Sequence, residues 1–288
     1  VIVWPSGKHR MKKTTVQQRL LGDVHWKRAA RSVLSICLSV YLFLLFYGMF
    51  FADSLIFQPQ PSSYGDTDRI LKIPMPDGTL LSARYLPHPA SRVTILYSHG
   101  NAEDIGDLEE ILQHFHAHGF SILAYDYSGY GTSQGSPSER AAYANIFAVY
   151  AYLRQELQVP AKRILVLGRS LGGGPSTELA SQKPVGGLML ESAFTSSFRV
   201  ITRVKLFPFD TFDNLTKLAF VSCPVLIVHG THDEVIPFWH GEQLYQQAKP
   251  PKMRLWVENA HHNDLFWVAG EAYWDTLKQF GERVGHRP

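Results

Sequence analysis

The chain has 288 residues, 45% of them apolar and 18% charged, which suits one large ordered domain with an appendage and excludes a disordered polypeptide. The net charge of +3 is unevenly held: residues 1–31 carry eight Lys or Arg against one acid, and the remainder has 20 basic and 24 acidic residues, a net of −4. A mildly acidic body argues against nucleic acid as a partner, and two distant cysteines, Cys37 and Cys223, form neither a disulfide framework nor a zinc spacing.

In chain order, residues 1–31 form a basic segment, and the part before Met11 reads as an upstream extension of the reading frame. Residues 32–52 contain no charge, and 33–51 are almost wholly apolar (VLSICLSVYLFLLFYGMFF). At about 1.5 Å per residue this run covers the roughly 30 Å hydrocarbon layer of a bilayer. A cleaved signal peptide has a shorter apolar region, roughly 7–15 residues, closed by a small-x-small site. Here bulky Phe50 occupies a position that should be small, so an uncleaved transmembrane helix is expected over 32–52. Lys27, Arg28 and Arg31 should stay in the cytoplasm, which turns the body outward, toward a periplasm or lumen. The formal sequon Asn214-Leu215-Thr216 is compatible with that topology and carries no weight, because chance matches are frequent.

Residues 53–68, with Gln58-Pro59-Gln60-Pro61-Ser62-Ser63, read as a linker to a body over 69–288. Runs 69–74 and 80–86 flank Asp77-Gly78, a hairpin signal. Apolar strands are then expected at 93–98, 121–126, 163–168, 187–191 and 224–229, with an edge strand at 253–257. Helical periodicity fills 103–118, 138–157, 171–182, 237–248 and 269–284. Ser138 reads as an N-cap and Gly119 as a helix stop. Alternating strands and helices predict a mostly parallel sheet covered on both faces.

Ligands of such a sheet bind beyond the carboxyl ends of its strands. Gly168-Arg169-Ser170-Leu171-Gly172 follows one strand and opens a helix. A nucleophilic serine there needs a sharp turn, and Gly168 and Gly172 remove side chains that would clash. The Leu171 N–H, at the new helix start, can donate to a developing oxyanion. Serine needs a base oriented by a carboxylate, in the order Ser, acid, His in this architecture. Asp233 follows strand 224–229, and His261 and His262 follow strand 253–257, one of the two being the base. The loop after strand 93–98 reads His99-Gly100-Asn101-Ala102; the Asn101 N–H is the expected second oxyanion donor, with His99 and Gly100 shaping the loop. His114 and His118 lie four apart on one helix but lack a third ligand or a glutamate motif, so no metal site is assigned. The segment Gly129–Gly135 lacks the Lys-Ser/Thr of a phosphate loop.

These residues resemble the membrane-anchored branch of the α/β-hydrolase-domain-containing serine hydrolases, subgroups thirteen and seventeen. The resemblance covers roughly residues 55–284. It rests on Tyr97-Ser98-His99-Gly100-Asn101-Ala102, Tyr125-Asp126-Tyr127-Ser128-Gly129-Tyr130-Gly131 and Gly168-x-Ser170-x-Gly172-x-x-Pro175-Ser176. It continues through His229-Gly230-Thr231-x-Asp233-Glu234-Val235-Ile236 and His262-Asn263-Asp264. It implies the α/β-hydrolase fold with a short lid, ester or thioester hydrolysis, and His262 as the base. His261 departs from the pattern, where a small residue is usual. In the seventeen subgroup the substrates are palmitoylated proteins.

The short segment between Phe194 and Cys223 is the expected lid, and Phe194, Phe198, Val204, Leu206, Phe207, Phe209 and Phe212 either line an acyl groove or pack the lid down. The leading expectation is hydrolysis of an acyl-ester or acyl-thioester, lipid or lipidated, beside a bilayer. A serine peptidase and a non-catalytic anchored binding protein are the alternatives. The chemistry needs only water and no cofactor. Oligomeric state is not encoded in any recognisable motif.

Overall fold

The computed structural model describes residues 16–285. The reading of Met11 as a start, and Lys8, Arg10, Lys12 and Lys13 of the basic segment, lie outside the described residues. Two units are present: Val1–Phe51 and Ala52–Pro288. The first is carried by helix α1 (Val16–Ile56), whose stretch His25–Ile56 is long and apolar enough to cross a membrane.

The second unit is built on one eight-stranded sheet. Its strands are β1 (Ile70–Pro74), β2 (Leu80–Leu86), β3 (Thr94–Ser98), β4 (Ser121–Tyr125), β5 (Ile164–Arg169), β6 (Gly187–Glu191), β7 (Val225–Gly230) and β8 (Lys252–Val257). Their order is β1-β2-β4-β3-β5-β6-β7-β8; the β1–β2 and β2–β4 pairings are antiparallel and the other five are parallel. Side chains alternate across each strand, so a parallel strand buried on both faces must be apolar throughout. Ile95 and Tyr97 of β3 and Leu165 and Leu167 of β5 therefore feed one core, while Leu96 and Val166 feed the other. The first core packs against helices α2 (Glu109–Ala117), α8 (Leu265–Ala269) and α9 (Glu271–Gly285). The second packs against α3 (Glu139–Gln155), α4 (Gly173–Gln182) and α7 (Trp239–Gln247). Two short lid helices, α5 (Ser197–Thr202) and α6 (Asn214–Leu218), lie between β6 and β7.

Helix α1 runs well beyond the expected 32–52 at both ends, and within the second unit three helices differ from expectation, each for a local reason. Helix α2 begins at Glu109 rather than 103, because the Asp104 carboxylate takes the N–H groups of Gly106 and Asp107 at 3.0 and 3.2 Å and holds a turn. Residues 170–172 form a 3₁₀ turn, so α4 proper starts at Gly173. The segment 269–284 is interrupted where Gly270 takes φ +50°, which separates α8 from α9. Ser138 does cap α3, its side chain accepting from the Ala141 N–H at 3.0 Å. Residues 53–68, expected as a linker, belong to the second unit: 53–56 finish α1, Phe57 is buried in the core, and Ser63 and Asp66 are hydrogen-bonded to Asp104 and Thr132.

Candidate active site

The parallel register pairs Ser98 with Gly168, so the loop leaving β3 lies beside the turn leaving β5. Ser170 sits on that turn at φ +50°, a left-handed conformation that a side-chain-bearing residue adopts only when its surroundings enforce it. The enforcement is close packing: a Cβ at Gly168 would strike the Gly172 carbonyl, and one at Gly172 would strike the Ser98 carbonyl. The serine is thereby held at the carboxyl edge of the sheet, 9% exposed.

His262 Nε2 lies 3.1 Å from Ser170 Oγ, and its Nδ1 lies 2.8 and 3.0 Å from the two Asp233 oxygens. Asp233 Oδ1 also accepts from the Val235 and Ile236 N–H groups at 3.0 and 2.7 Å. Burial pushes the Asp233 carboxyl upward, but the hydrogen bond from His262 and these amides outweigh it and hold it below the usual carboxylate value. An ionised Asp233 accepts the Nδ1–H, which leaves the Nε2 lone pair facing the serine hydroxyl. The adjacent His261 points elsewhere: it is exposed and its Nδ1 pairs with Glu234 Oε2 at 3.0 Å, a contact that raises its pKa.

Asn101 and Leu171 follow β3 and β5, the two central neighbouring strands. The Gly100 N–H is already committed to Glu103 Oε1 at 2.6 Å. His99 is fully buried, its Nδ1 2.7 Å from the Gly100 carbonyl and its Nε2 3.4 Å from Asp126 Oδ1. Burial disfavours its charged form, yet the Asp126 carboxylate prevails and raises its pKa. Tyr127 donates to the His99 carbonyl at 2.7 Å. His99 thus braces this loop from beneath.

Several residues absent from the expected set surround the same centre. Arg169 bridges Glu103 and Asn263 at 2.8 and 3.0 Å, and Glu191 accepts from the Tyr273 hydroxyl at 2.7 Å. With Tyr97 and His262 they line a cavity of about 200 Å³. Arg169, Tyr97 and Asn263 lie inside motifs legible in the sequence, whereas nothing local marks Glu103, Glu191 or Tyr273. In the lid, Phe194 and Phe212 are buried in the core, while Phe198, Phe207 and Phe209 form a trio with ring centroids 5.7–6.0 Å apart. Val204 and Leu206 are 59% and 52% exposed. Asn214 is fully buried and donates to the Phe194 carbonyl at 3.0 Å, which removes the sequon from the surface. His114 and His118 are taken up by aromatic packing, His118 stacking on Trp274 at 3.7 Å.

The family model described as serine aminopeptidase, S33 (Hydrolase_4) matches residues 89–204. Human α/β hydrolase domain-containing protein 17B is 40% identical over 195 residues, 67% of this chain and 67% of that protein. The chain belongs to this α/β-hydrolase domain-containing protein 17 family. Its Caenorhabditis elegans relative aho-3 is 40% identical over 197 residues, and there the match spans 67% of this chain and 59% of the relative. Among solved structures, the Pyrococcus furiosus esterase Pf2001 superposes with a TM-score of 0.67 at 16% identity, covering 79% of this chain and 98% of that one. At that identity the likeness carries the fold, an α/β-hydrolase sheet flanked by helices.

Proposed function

We propose that this family member is a membrane-anchored serine hydrolase that cleaves carboxylic ester or thioester bonds of acylated substrates. The reading rests on one observation above all, the unbroken connection from Ser170 Oγ through His262 to Asp233. His262 Nε2 takes the hydroxyl proton as Oγ attacks the acyl carbon, and the carbonyl electron pair moves onto oxygen. The Asn101 and Leu171 N–H groups are the assigned donors to that oxyanion. Collapse expels the alcohol or thiol with the proton from His262 and leaves an acyl-serine. Water, deprotonated by the same nitrogen, then releases the acid and restores Ser170.

The anchor in this reading is residues 32–52, preceded by the basic segment 1–31 and followed by the catalytic unit. Lys27, Arg28 and Arg31 favour a cytoplasmic N-terminus and an extracytoplasmic body. The lid trio Phe198, Phe207 and Phe209 supplies an apolar surface suited to an acyl chain. That the Pyrococcus protein of like fold is an esterase agrees with ester substrates. The aminopeptidase description of the matching family model favours a second reading, amide hydrolysis by the same residues.

Ser170→Ala in the full chain should abolish fluorophosphonate labelling and turnover of p-nitrophenyl esters and acyl-thioesters. Retained turnover would overturn the hydrolase reading. Faster cleavage of amino-acid p-nitroanilides than of esters would replace it with the peptidase one.

A further inference from the structure

The residues joining the apolar helix to the sheet reach directly into the loop carrying Asn101. Ile56 is the last residue of α1, and its carbonyl accepts the Asn101 Nδ2–H at 2.5 Å. The Asn101 Oδ1 in turn receives the Gln58 N–H at 3.1 Å, the Tyr130 hydroxyl at 2.6 Å and the Ala102 N–H at 3.0 Å. Both ends of one carboxamide are therefore used, three of its contacts tying residues 56–58 and Tyr130 to the loop. Phe57, between the two bonded residues, is 4% exposed and packs on Tyr130 and Phe212, with centroids 6.4 and 5.9 Å away. Tyr130 also lies against His99, at 5.6 Å between centroids. Further along, the Ser63 N–H donates to Asp104 at 2.8 Å, and Tyr64 donates to Asp126, whose other oxygen faces His99.

This loop needs holding. Ala102 takes φ +58°, a conformation that costs a residue with a Cβ on the order of 1 kcal/mol or more unless neighbours enforce it. The neighbour that does so is the Asn101 carboxamide, itself gripped by residues 56–58. A half-buried carboxamide held at both ends in this way fixes its own backbone, and with it the direction of the Asn101 N–H.

We propose that residues 56–58 are a positioning strap for the active site. Through the Asn101 carboxamide they set the backbone that donates to the oxyanion, so the last turn of α1 contributes to transition-state stabilisation as well as to attachment. The proposal rests on the serine-hydrolase reading above, with the Asn101 N–H as donor. The Asn101 side chain and Phe57 act through that N–H and touch no substrate; they are positioning groups.

The test uses the full chain in detergent micelles with p-nitrophenyl butyrate and a boronic acid that mimics the tetrahedral intermediate. Complete loss of an oxyanion donor costs about 10²–10³ in kcat. Misplacing it through Asn101→Ala should cost about 30-fold, and through Phe57→Ala about tenfold, with KM within about twofold. Boronate affinity should fall by the same factor as kcat. Tyr130→Phe, which removes one oxygen and leaves the ring, should give a smaller loss of the same kind and serves if Phe57→Ala does not fold. A purely structural strap would lower the melting temperature and leave kcat and boronate affinity intact below it; that result overturns the proposal. Ser170→Ala run in parallel separates the two failures: if it kills turnover while the strap variants do not change kcat, the strap alone is wrong. If it retains turnover, the hydrolase reading falls and takes the strap with it.

Discussion

Arg169 and Glu103 are joined by two hydrogen bonds from Nη1, at 2.8 and 3.0 Å, and this pair ties the turn bearing Ser170 to the loop bearing Gly100. The same guanidinium reaches the His262 carbonyl at 3.4 Å and Asn263 Oδ1 at 3.0 Å, so one side chain touches all three segments that converge on the serine. Burial alone would favour losing its proton, but the carboxylates of Glu103 and Glu191 outweigh that and hold the charge more firmly than in water.

Arg169→Met should therefore leave Glu103 and Glu191 without their counter-charge. Removing one partner of a buried pair costs about 3–5 kcal/mol. The loss should appear in thermal or denaturant unfolding of the full chain, and kcat should fall because the three loops lose their common tie. Adding Glu103→Gln to Arg169→Met should return part of the stability. A variant as stable as the parent would show the pair to be ornamental.

Gly172→Ala should distort the site from the opposite side. The added Cβ meets the Ser98 carbonyl and lies 2.8 Å from the His99 carbonyl, both backbone atoms that cannot swing away. Overpacking of this kind costs about 1–3 kcal/mol, and the displaced strand end carries the loop with Asn101. Gly65→Ala meets nothing within 4 Å and is the matched control. Melting temperatures and ester turnover of the two variants should diverge.

Stability should also fall with acid through a residue outside the catalytic set. His240 is fully buried, its Nδ1 accepting from the Thr195 N–H at 3.1 Å. Burial first, and then the neighbouring His229, push its pKa down to about 3. In the unfolded chain an imidazole titrates near ~6.5. The unfolded state thus binds the extra proton as pH drops below that value, while the folded state refuses it. The contribution is complete above about pH 6.5 and is lost progressively toward pH 3. Between pH 7 and pH 5, the melting temperature of His240→Gln should decline less steeply than that of the parent.

Some of this arrangement can be read along the chain and some cannot. The strands are visible because a parallel strand covered on both faces has to be apolar at every position, as 164–168 and 225–228 are. Gly168, Ser170 and Gly172 are visible because the turn admits so few residues. Asp233 and the histidine pair announce themselves by following strands. Which histidine turns inward is a matter of loop backbone, and adjacent identical residues carry no periodicity to separate them; the geometry brings His262, and not His261, to Ser170. Glu103 and Arg169 lie 66 positions apart, and nothing local marks either as the other's partner. Residues 53–68 look like a linker because Pro and small polar residues show neither helix nor strand period. Their partners, Asn101, Asp104, Asp126 and Thr132, lie 41 to 68 positions downstream, counted from Ser63, Tyr64 and their neighbours. Bonds of that kind depend on tertiary placement alone.

The seat of Phe57 between Tyr130 and Phe212 also decides where a form of this protein without its long apolar helix should be cut. Composition would invite excision at Pro59 or Pro61, in the middle of the proline-rich stretch. That cut discards a buried ring and opens a void worth about 3–5 kcal/mol in the core. The better boundary lies between Phe51 and Ala52, where the second unit begins. A secreted or bacterial expression product trimmed there keeps its plug.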